Sequence, residues 1–289
     1  MIGNKFKTMK TVLITGINGY LGSHLAKTFA SDYNIIGLEY SLNNLSRIKN
    51  CNYKVYKSSN YILDNLFNEH FIDIIIHTST FYGRNEEDIK KLFVSNLIFP
   101  FNLLDKAIEK KCSLFVNTDT VLERFVSPYS LTKQQFNDWL WLRRHQIKVV
   151  NMQLEHFYGP DGNDTNFITT MINRMKNNES KIDITKGEQM RDFVFIDDVV
   201  SAYNLVLNNQ NLLKSDYTLF QVASGELISI KDLLFLIKEF TKSTSILNFG
   251  AIPYRENELM LSTANNSELL AIGWKPYYRI EKGLKLVCK

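Results

Sequence analysis

Short β-branched runs alternate with amphipathic segments through the first half of the chain. The runs at 11–15 (TVLIT), 34–38 (NIIGL), 53–57 (YKVYK), 72–77 (IDIIIH), 113–118 (SLFVNT) and 147–153 (IKVVNMQ) read as strands. Between them apolar residues recur at helical spacing, as at Leu21, Leu25 and Phe29, or at Leu92, Leu97, Phe101 and Leu104. Strands apolar on both faces that alternate with helices predict an α/β fold, a doubly wound parallel sheet with helices on both faces. After about residue 155 the alternation breaks, which predicts a smaller C-terminal α/β region whose clearest helices are 165–177, 197–208 and 229–241. No internal repeat, low-complexity tract or extended linker interrupts the chain.

At 289 residues and 45% hydrophobic composition the chain can bury a sizeable core. Thirty-four Lys and Arg against 30 Asp and Glu give a net charge of +4 without a long basic run, which argues against nucleic acid as the partner. Cys51, Cys112 and Cys288 are far apart and the histidines form no His-Glu-x-x-His pattern, so neither a disulfide framework nor a metal is predicted and a reducing cytoplasm fits. The apolar runs are too short to cross a bilayer, and residues 1–9 lack the apolar core of a signal peptide and read as a loose extension.

The first strand runs into GINGYLGSHL, with Gly16, Gly19 and Gly22 at a strand-to-helix turn. Gly16 can make the tight turn, Gly19 lets a pyrophosphate approach the backbone, and Gly22 lets helix and sheet pack closely. The helix that follows aims free N–H groups at the phosphates. Glu39 ends the second strand, where a carboxylate can bond both ribose hydroxyls of NAD and repel the 2′-phosphate of NADP. These features predict a dinucleotide-binding Rossmann domain over 10–155 and a substrate-binding region over 156–289.

Tyr129 and Lys133 stand four apart at the start of a predicted helix, so both side chains share a face. A nearby ammonium stabilises a phenolate and lets the tyrosine serve as acid or base near neutral pH. Thr118, at the carboxyl end of the fifth strand, can bond the same substrate oxygen. The Tyr-x-x-x-Lys spacing also occurs at Tyr53/Lys57 and Tyr278/Lys282. The first of these lies on a strand, about 13 Å apart and too far to couple, and the second lies near the chain end. The pair at 129 and 133 alone opens a helix after a strand that ends in a hydroxyl residue.

Taken in order, TGINGYLGSHL, Glu39, DIIIHTST, NTDT, YSLTK, LEHFYGP, RDFVFIDDVVSAY and IGWKP resemble the extended short-chain dehydrogenase/reductase family, the NAD-dependent epimerases, dehydratases and reductases of nucleotide sugars. The stretches NMQLEHFYGPDGNDTNFI, TKGEQMRDFVFIDDVV and IGWKP are most similar to the CDP-abequose and CDP-paratose synthases, which reduce the 4-keto group of a CDP-dideoxyhexose for O-antigen synthesis. The resemblance implies cofactor contacts at Gly16, Asn18, Gly19, Tyr20, Leu21, Gly22, Glu39, Asn60, Thr78, Tyr129 and Lys133. It implies catalysis by Thr118, Tyr129 and Lys133, and substrate contacts at Thr118, Tyr129, His156, Phe167, Arg191 and Arg255. It further implies a homodimer through helices near 89–110 and 129–145. Arg191 has an alternative reading as the partner of Asp192 or Asp197 in a salt bridge, and His156 as a structural histidine.

Dehydratases of this family carry an Asp-Glu pair after the fifth strand; here Thr120 replaces the glutamate, which places dehydration below reduction or epimerisation. The expected reaction is reduction by NAD(P)H of the C4 ketone of a CDP- or dTDP-linked 4-keto-6-deoxy or 4-keto-3,6-dideoxy hexose. Glu39 favours NADH, whereas the resemblance favours NADPH. The alternatives are a nucleotide-sugar 4-epimerase with retained NAD and a non-catalytic redox-sensing binding module.

Overall fold

The computed structural model describes residues 9–83, 89–256 and 258–289. Residues 1–8 of the expected extension and the side chain of Asn60 lie outside the described ones. The six strands read from the sequence form within two residues of their expected bounds: β1 Thr11–Thr15, β2 Asn34–Glu39, β3 Lys54–Lys57, β4 Ile74–His77, β5 Leu114–Thr120 and β6 Lys148–Leu154. Helices α1 Tyr20–Phe29, α2 Asn60–Glu69, α3 Ile89–Phe93, α4 Phe99–Glu109 and α5 Pro128–Arg143 lie between them. The later chain adds β7 His156–Tyr158, α6 Phe167–Lys176, β8 Lys181–Ile184, β9 Met190–Phe195, α7 Ile196–Asn208, β10 Tyr217–Val222, β11 Leu227–Ser229, α8 Ile230–Thr241, β12 Ile246–Phe249, β13 Leu261–Ser262, α9 Ser267–Ala271 and α10 Ile280–Val287.

Two compact units result. Of the described residues, the first holds those up to 119, 127–152 and 213–219; the second holds those within 120–126, 153–212 and 220–289. The first is built on a seven-stranded parallel sheet in the order β10-β6-β5-β4-β1-β2-β3, a doubly wound Rossmann arrangement. Strand β10 was not visible in the sequence pattern because an edge strand is only partly covered and does not read as a continuous apolar run. Leu13, Ile36, Ile75 and Phe115 on the strands pack with Leu104, Phe136 and Leu140 on the helices, all nearly or wholly removed from water. Each such side chain contributes on the order of 1.5–3 kcal/mol by burial.

The helix expected over 89–110 is interrupted. Residues Val94–Ile98 form a π-helical turn in which the Phe99 N–H bonds the Val94 carbonyl five residues back. Pro100 has no N–H to offer the carbonyl four residues earlier, and a wider turn is one way the chain accommodates that loss. The turn carries Asn96, whose side chain is used below.

The second unit is organised around β9, flanked by antiparallel β11 and by parallel β13 and β7, with β8 and β12 as a separate parallel pair. Asp198 on α7 accepts hydrogen bonds from the Tyr277 and Tyr278 N–H groups at 2.8 and 2.9 Å, and Trp274 Nε1 donates to Ser201 Oγ at 2.8 Å. These bonds tie the IGWKPYY segment to α7. Only glycine fits at 283, where a Cβ would collide with the Tyr158 hydroxyl and crowd Phe195.

Candidate active site

Sheet register decides what lies together in the first unit. Thr15 pairs with Leu38 and with His77, and His77 pairs with Asn117. The next residue along each chain is therefore Gly16, Glu39, Thr78 or Thr118, one row across the carboxyl ends of β2, β1, β4 and β5. At about 4.8 Å per strand the row spans roughly 14 Å, the scale of an extended dinucleotide.

The centre of the row is shaped for a pyrophosphate. Gly16 adopts φ +67°, and its N–H bonds the Leu38 carbonyl at 2.7 Å. A Cβ at Gly22 would collide with the Gly16 carbonyl oxygen, so α1 approaches the loop as only glycine permits. Gly19 caps α1 without a side-chain bond, and no acidic residue occupies the first turn. The helix therefore offers its N–H groups and dipole to an anion. Tyr20 and Leu21 are buried in that first turn, with the Arg47 guanidinium 5.6 Å from the Tyr20 ring centroid. At one side Glu39 Oε2 accepts from the Asn18 N–H at 2.9 Å and Oε1 from the Tyr40 N–H at 3.0 Å, while Asn18 Oδ1 accepts from the Arg47 N–H at 3.0 Å. Glycine cradle, open helix terminus and ribose-side carboxylate together fit a nicotinamide dinucleotide.

After β4 the chain is held down by one hydroxyl. Thr15 Oγ1 accepts from the N–H groups of Thr78 and Ser79, both at 3.2 Å, so its own proton goes to His77 Nδ1 at 2.8 Å. Thr78 Oγ1 donates to the Thr15 carbonyl at 2.7 Å. His77 is fully buried; desolvation, and then the Lys133 cation, push its pKa well below the ordinary value.

Ser127 caps α5 with a reciprocal capping box to Ser130, and Pro128 follows at the helix start. This places Tyr129 in the first turn, where the helix dipole also favours a phenolate. Lys133, one turn on, is 3% exposed, and its Nζ donates to the Thr118 carbonyl at 2.6 Å. Burial lowers the Lys133 pKa, and the neighbouring Asp119 charge opposes that shift. Asp119 is itself buried and accepts from Asn151 Nδ2 at 2.8 Å. The fifth strand runs on to Thr120, so Thr118 lies two residues before its end rather than at it, and Tyr129 and Lys133 come from the start of α5, with the ammonium fixed to the strand.

In the second unit Arg191 on β9 pairs with Glu258 at 3.0 Å, not with the Asp192 or Asp197 considered from the sequence. Asp192 is used otherwise, accepting from the Ser224 and Gly225 N–H groups at 2.8 and 2.7 Å. Desolvation lowers the Arg191 pKa, opposed by Glu258 and Glu155. Glu155 is buried, bonded by Ser262 Oγ, and lies 3.1 Å from His156 Nδ1. His156 and Arg255 are exposed, and Phe167 opens α6 after the Asn166 cap.

Two residues near Tyr129 and Lys133 escaped the sequence reading. Asp119 was visible only as a carboxylate next to Thr118. Tyr82, whose ring lies 4.9 Å from that of Tyr129 at 30°, sits in a loop with no periodicity to mark it. Among the described residues no group of three or more His, Cys, Asp or Glu is arranged to hold a metal, and no helix is long and apolar enough to cross a membrane.

The NAD dependent epimerase/dehydratase family matches residues 12–219. CDP-abequose synthase of Salmonella typhimurium is 34% identical over 291 residues, covering 96% of this chain and 97% of that protein. Among solved structures, a UDP-glucose 4-epimerase of Thermotoga maritima with UDP-glucose superposes with a TM-score of 0.85 at 22% identity, over 96% of this chain and 97% of that one. The UDP-glucose 4-epimerase of Thermus thermophilus, in complex with NAD, gives 0.84 at 20% identity over 96% and 97%. At those identities the two structures establish the fold alone.

Proposed function

Because the chain belongs to the NAD-dependent epimerase/dehydratase family, as a nucleotide-sugar oxidoreductase of the short-chain dehydrogenase/reductase type, we propose that it reduces the C4 ketone of a nucleotide-linked 4-keto-6-deoxy or 4-keto-3,6-dideoxy hexose. A reduced nicotinamide dinucleotide held by the glycine loop and Glu39 would supply the hydride for C4. Tyr129 gives its phenolic proton to O4 as the carbonyl becomes an alkoxide, so the product is the neutral alcohol. Lys133 stabilises the phenolate left behind, and Thr118 orients the ketone. Glu39 with Asn18 takes the adenosine ribose, and Thr78 flanks the nicotinamide side of the row. Arg191 and Arg255 hold the diphosphate, with His156 and Phe167 beside the nucleotide sugar.

The observation that carries this reading is the Lys133 cation, fixed to the Thr118 carbonyl one helical turn from Tyr129. A buried ammonium is costly, and stabilising a phenolate is a reason to keep one there. With Thr120 in place of the dehydratase glutamate, the residues equip proton transfer at a carbonyl and lack the second carboxylate for elimination.

The kinship with CDP-abequose synthase favours a CDP sugar and a place in O-antigen synthesis. A homodimer is part of the proposal. Phe93, Val94, Ile98, Trp139 and Leu142, on α3, the π turn and α5, are exposed apolar side chains that a second copy would cover.

The test is loss of reduced-nicotinamide absorbance with a panel of CDP- and dTDP-linked 4-keto sugars. Turnover is expected with at least one, and Tyr129→Phe is expected to slow it by about 10²–10⁴-fold while still binding cofactor. Protein that carries tightly bound NAD and interconverts C4 epimers without added NADH would replace the reductase by the 4-epimerase.

A further inference from the structure

One residue near the catalytic phenol has no assigned part. Tyr82 lies in the segment between β4 and α3, and its ring stacks on that of Tyr129 with centroids 4.9 Å apart and planes at 30°. This is the offset arrangement that aromatic pairs favour, worth about 0.5–1.5 kcal/mol beyond area burial. Exposed loop residues are usually free to sample several rotamers, so what matters is whether this segment is held.

It is held by one side chain. Asn96, in the π turn, is 1% exposed. Its Oδ1 accepts from the Phe81 N–H at 2.8 Å, and its Nδ2 donates to the Phe81 carbonyl at 2.8 Å, so both peptide groups of Phe81, the residue before Tyr82, are clamped as if by a neighbouring strand. The same Nδ2 reaches Thr132 Oγ1 at 3.3 Å, and Thr80 Oγ1 donates to Oδ1 at 3.2 Å. Thr132 is on α5, three residues after Tyr129. Asn96 therefore ties the loop bearing Tyr82 to the helix bearing Tyr129, and fixes the spacing of the two rings.

The flanks reinforce the clamp. Thr78 and Ser79 hang from Thr15 on one side. On the other, Gly83 turns with φ +60° at a position where a Cβ would collide with Leu92 of the next helix. Lys91 Nζ lies 4.3 Å from the Phe81 ring centroid. The segment 78–83 is thus tied down at its start and in its middle, and it ends on a turn that only glycine fits.

Building on the reductase reading of Tyr129, we propose that Tyr82 is a positioning residue. Its ring covers one face of the Tyr129 phenol, fixes the plane of that ring, and keeps water from that face during proton transfer. A phenol free to rotate about χ2 and χ1 spends less time aimed at the ketone oxygen, and misplacement of about 1 Å costs on the order of 10²-fold in rate. Water admitted beside the phenol would also solvate a phenolate and lower its pKa.

The experiment compares Tyr82→Ala, Tyr82→Leu and Tyr82→Phe, with melting temperature as a check on folding. With the 4-keto substrate, Ala and Leu are expected to lower kcat by about 10- to 100-fold while KM for the sugar and cofactor Kd stay within about threefold. Their alkaline activity limb should move to lower pH, and Phe, which keeps the ring, should recover most of the rate. The second readout needs no substrate. Tyrosinate absorbance is titrated in Tyr82→Ala and in the parent chain, each with and without Tyr129→Phe, and subtraction isolates the Tyr129 phenol. Its pKa should fall by about half a unit or more in Tyr82→Ala. An unmoved Tyr129 titration overturns the inference, whatever the substrate proves to be. A raised KM with kcat unchanged also overturns it, by making Tyr82 a sugar contact. If no sugar is turned over but the titration moves as expected, the positioning role stands and the assigned reaction falls.

Discussion

Lys133 Nζ donates to the Thr118 main-chain oxygen at 2.6 Å, so the cation is tied to β5 two residues before the strand ends. An ammonium fixed in this way acts on the phenol through its charge. Burial works against that charge and lowers the Lys133 pKa, and Asp119 is the group that opposes the shift.

The first prediction follows from that balance. Asp119→Asn keeps the shape of the side chain but removes its charge, so Lys133 loses its proton at a lower pH than in the parent chain. The alkaline limb of kcat/KM is expected to move to lower pH, while the rate at the acidic end of the profile, where Lys133 stays charged, changes far less. A pH–rate profile with an unmoved alkaline limb would show that Asp119 does not support the cation.

Cofactor choice is set where β2 ends. Glu39 accepts from the Asn18 and Tyr40 N–H groups, which orients the carboxylate at the ribose end of the row. A fixed negative charge there repels a 2′-phosphate, as two unit charges 4 Å apart interact by about 4 kcal/mol at an effective dielectric of 20. NADH is therefore expected to be used at least as well as NADPH, and Glu39→Ser is expected to raise kcat/KM for NADPH relative to NADH by at least tenfold. Steady-state kinetics with both cofactors decide it, and a strong NADPH preference in the parent chain would contradict the assigned role of Glu39.

What the sequence revealed, and what it hid, separates along physical lines. The glycines at 16, 19 and 22 and the Tyr129–Lys133 spacing are local: backbone sterics and helical periodicity act within a few residues, so chain order exposes them. Glu39 was legible because a strand end fixes where its carboxylate points. The Arg191–Glu258 pair joins residues 67 apart in sequence, which no local pattern connects. The stack of Tyr82 on Tyr129 is harder still, because it depends on Asn96 in a π turn that a 3.6-residue period does not predict. Strand β10 was missed for the opposite reason, since its edge position leaves it without a buried face on each side.

Association of two copies gives a third expected outcome. Leu142 and Trp139, one helical turn apart on α5, are 62% and 40% exposed, and Phe93 and Val94 lie on the packed α3 and π turn. A stable interface removes about 800 Å² per partner from water, and a charge placed in its apolar centre has no partner there. The chain is expected to sediment as a dimer, and Leu142→Glu is expected to weaken the dimer at least tenfold without changing the circular dichroism spectrum. A parent chain that stays monomeric at micromolar concentration would remove the dimer from the proposal.

The fourth prediction concerns stability and rests on His77. Its imidazole is fully buried, accepts from Thr15 at Nδ1, and is held neutral by desolvation and by the nearby Lys133 charge. The unfolded chain takes up a proton near the ordinary histidine value of about 6.5, whereas the folded chain does so only at much lower pH. Between those two values the unfolded state binds more protons, so stability falls as pH falls, by up to about 1.4 kcal/mol per pH unit from this group. Above the unfolded value neither state is protonated and His77 contributes no slope. His77→Asn keeps a polar atom near Nδ1 for Thr15 and removes the titration. Urea midpoints at pH 7.5, 6.5 and 5.5 should therefore fall more steeply for the parent than for His77→Asn, the two curves converging in slope above pH about 7. Parallel curves over the acidic interval would mean that the folded chain takes up the proton as readily as the unfolded one, so that burial does not hold His77 neutral.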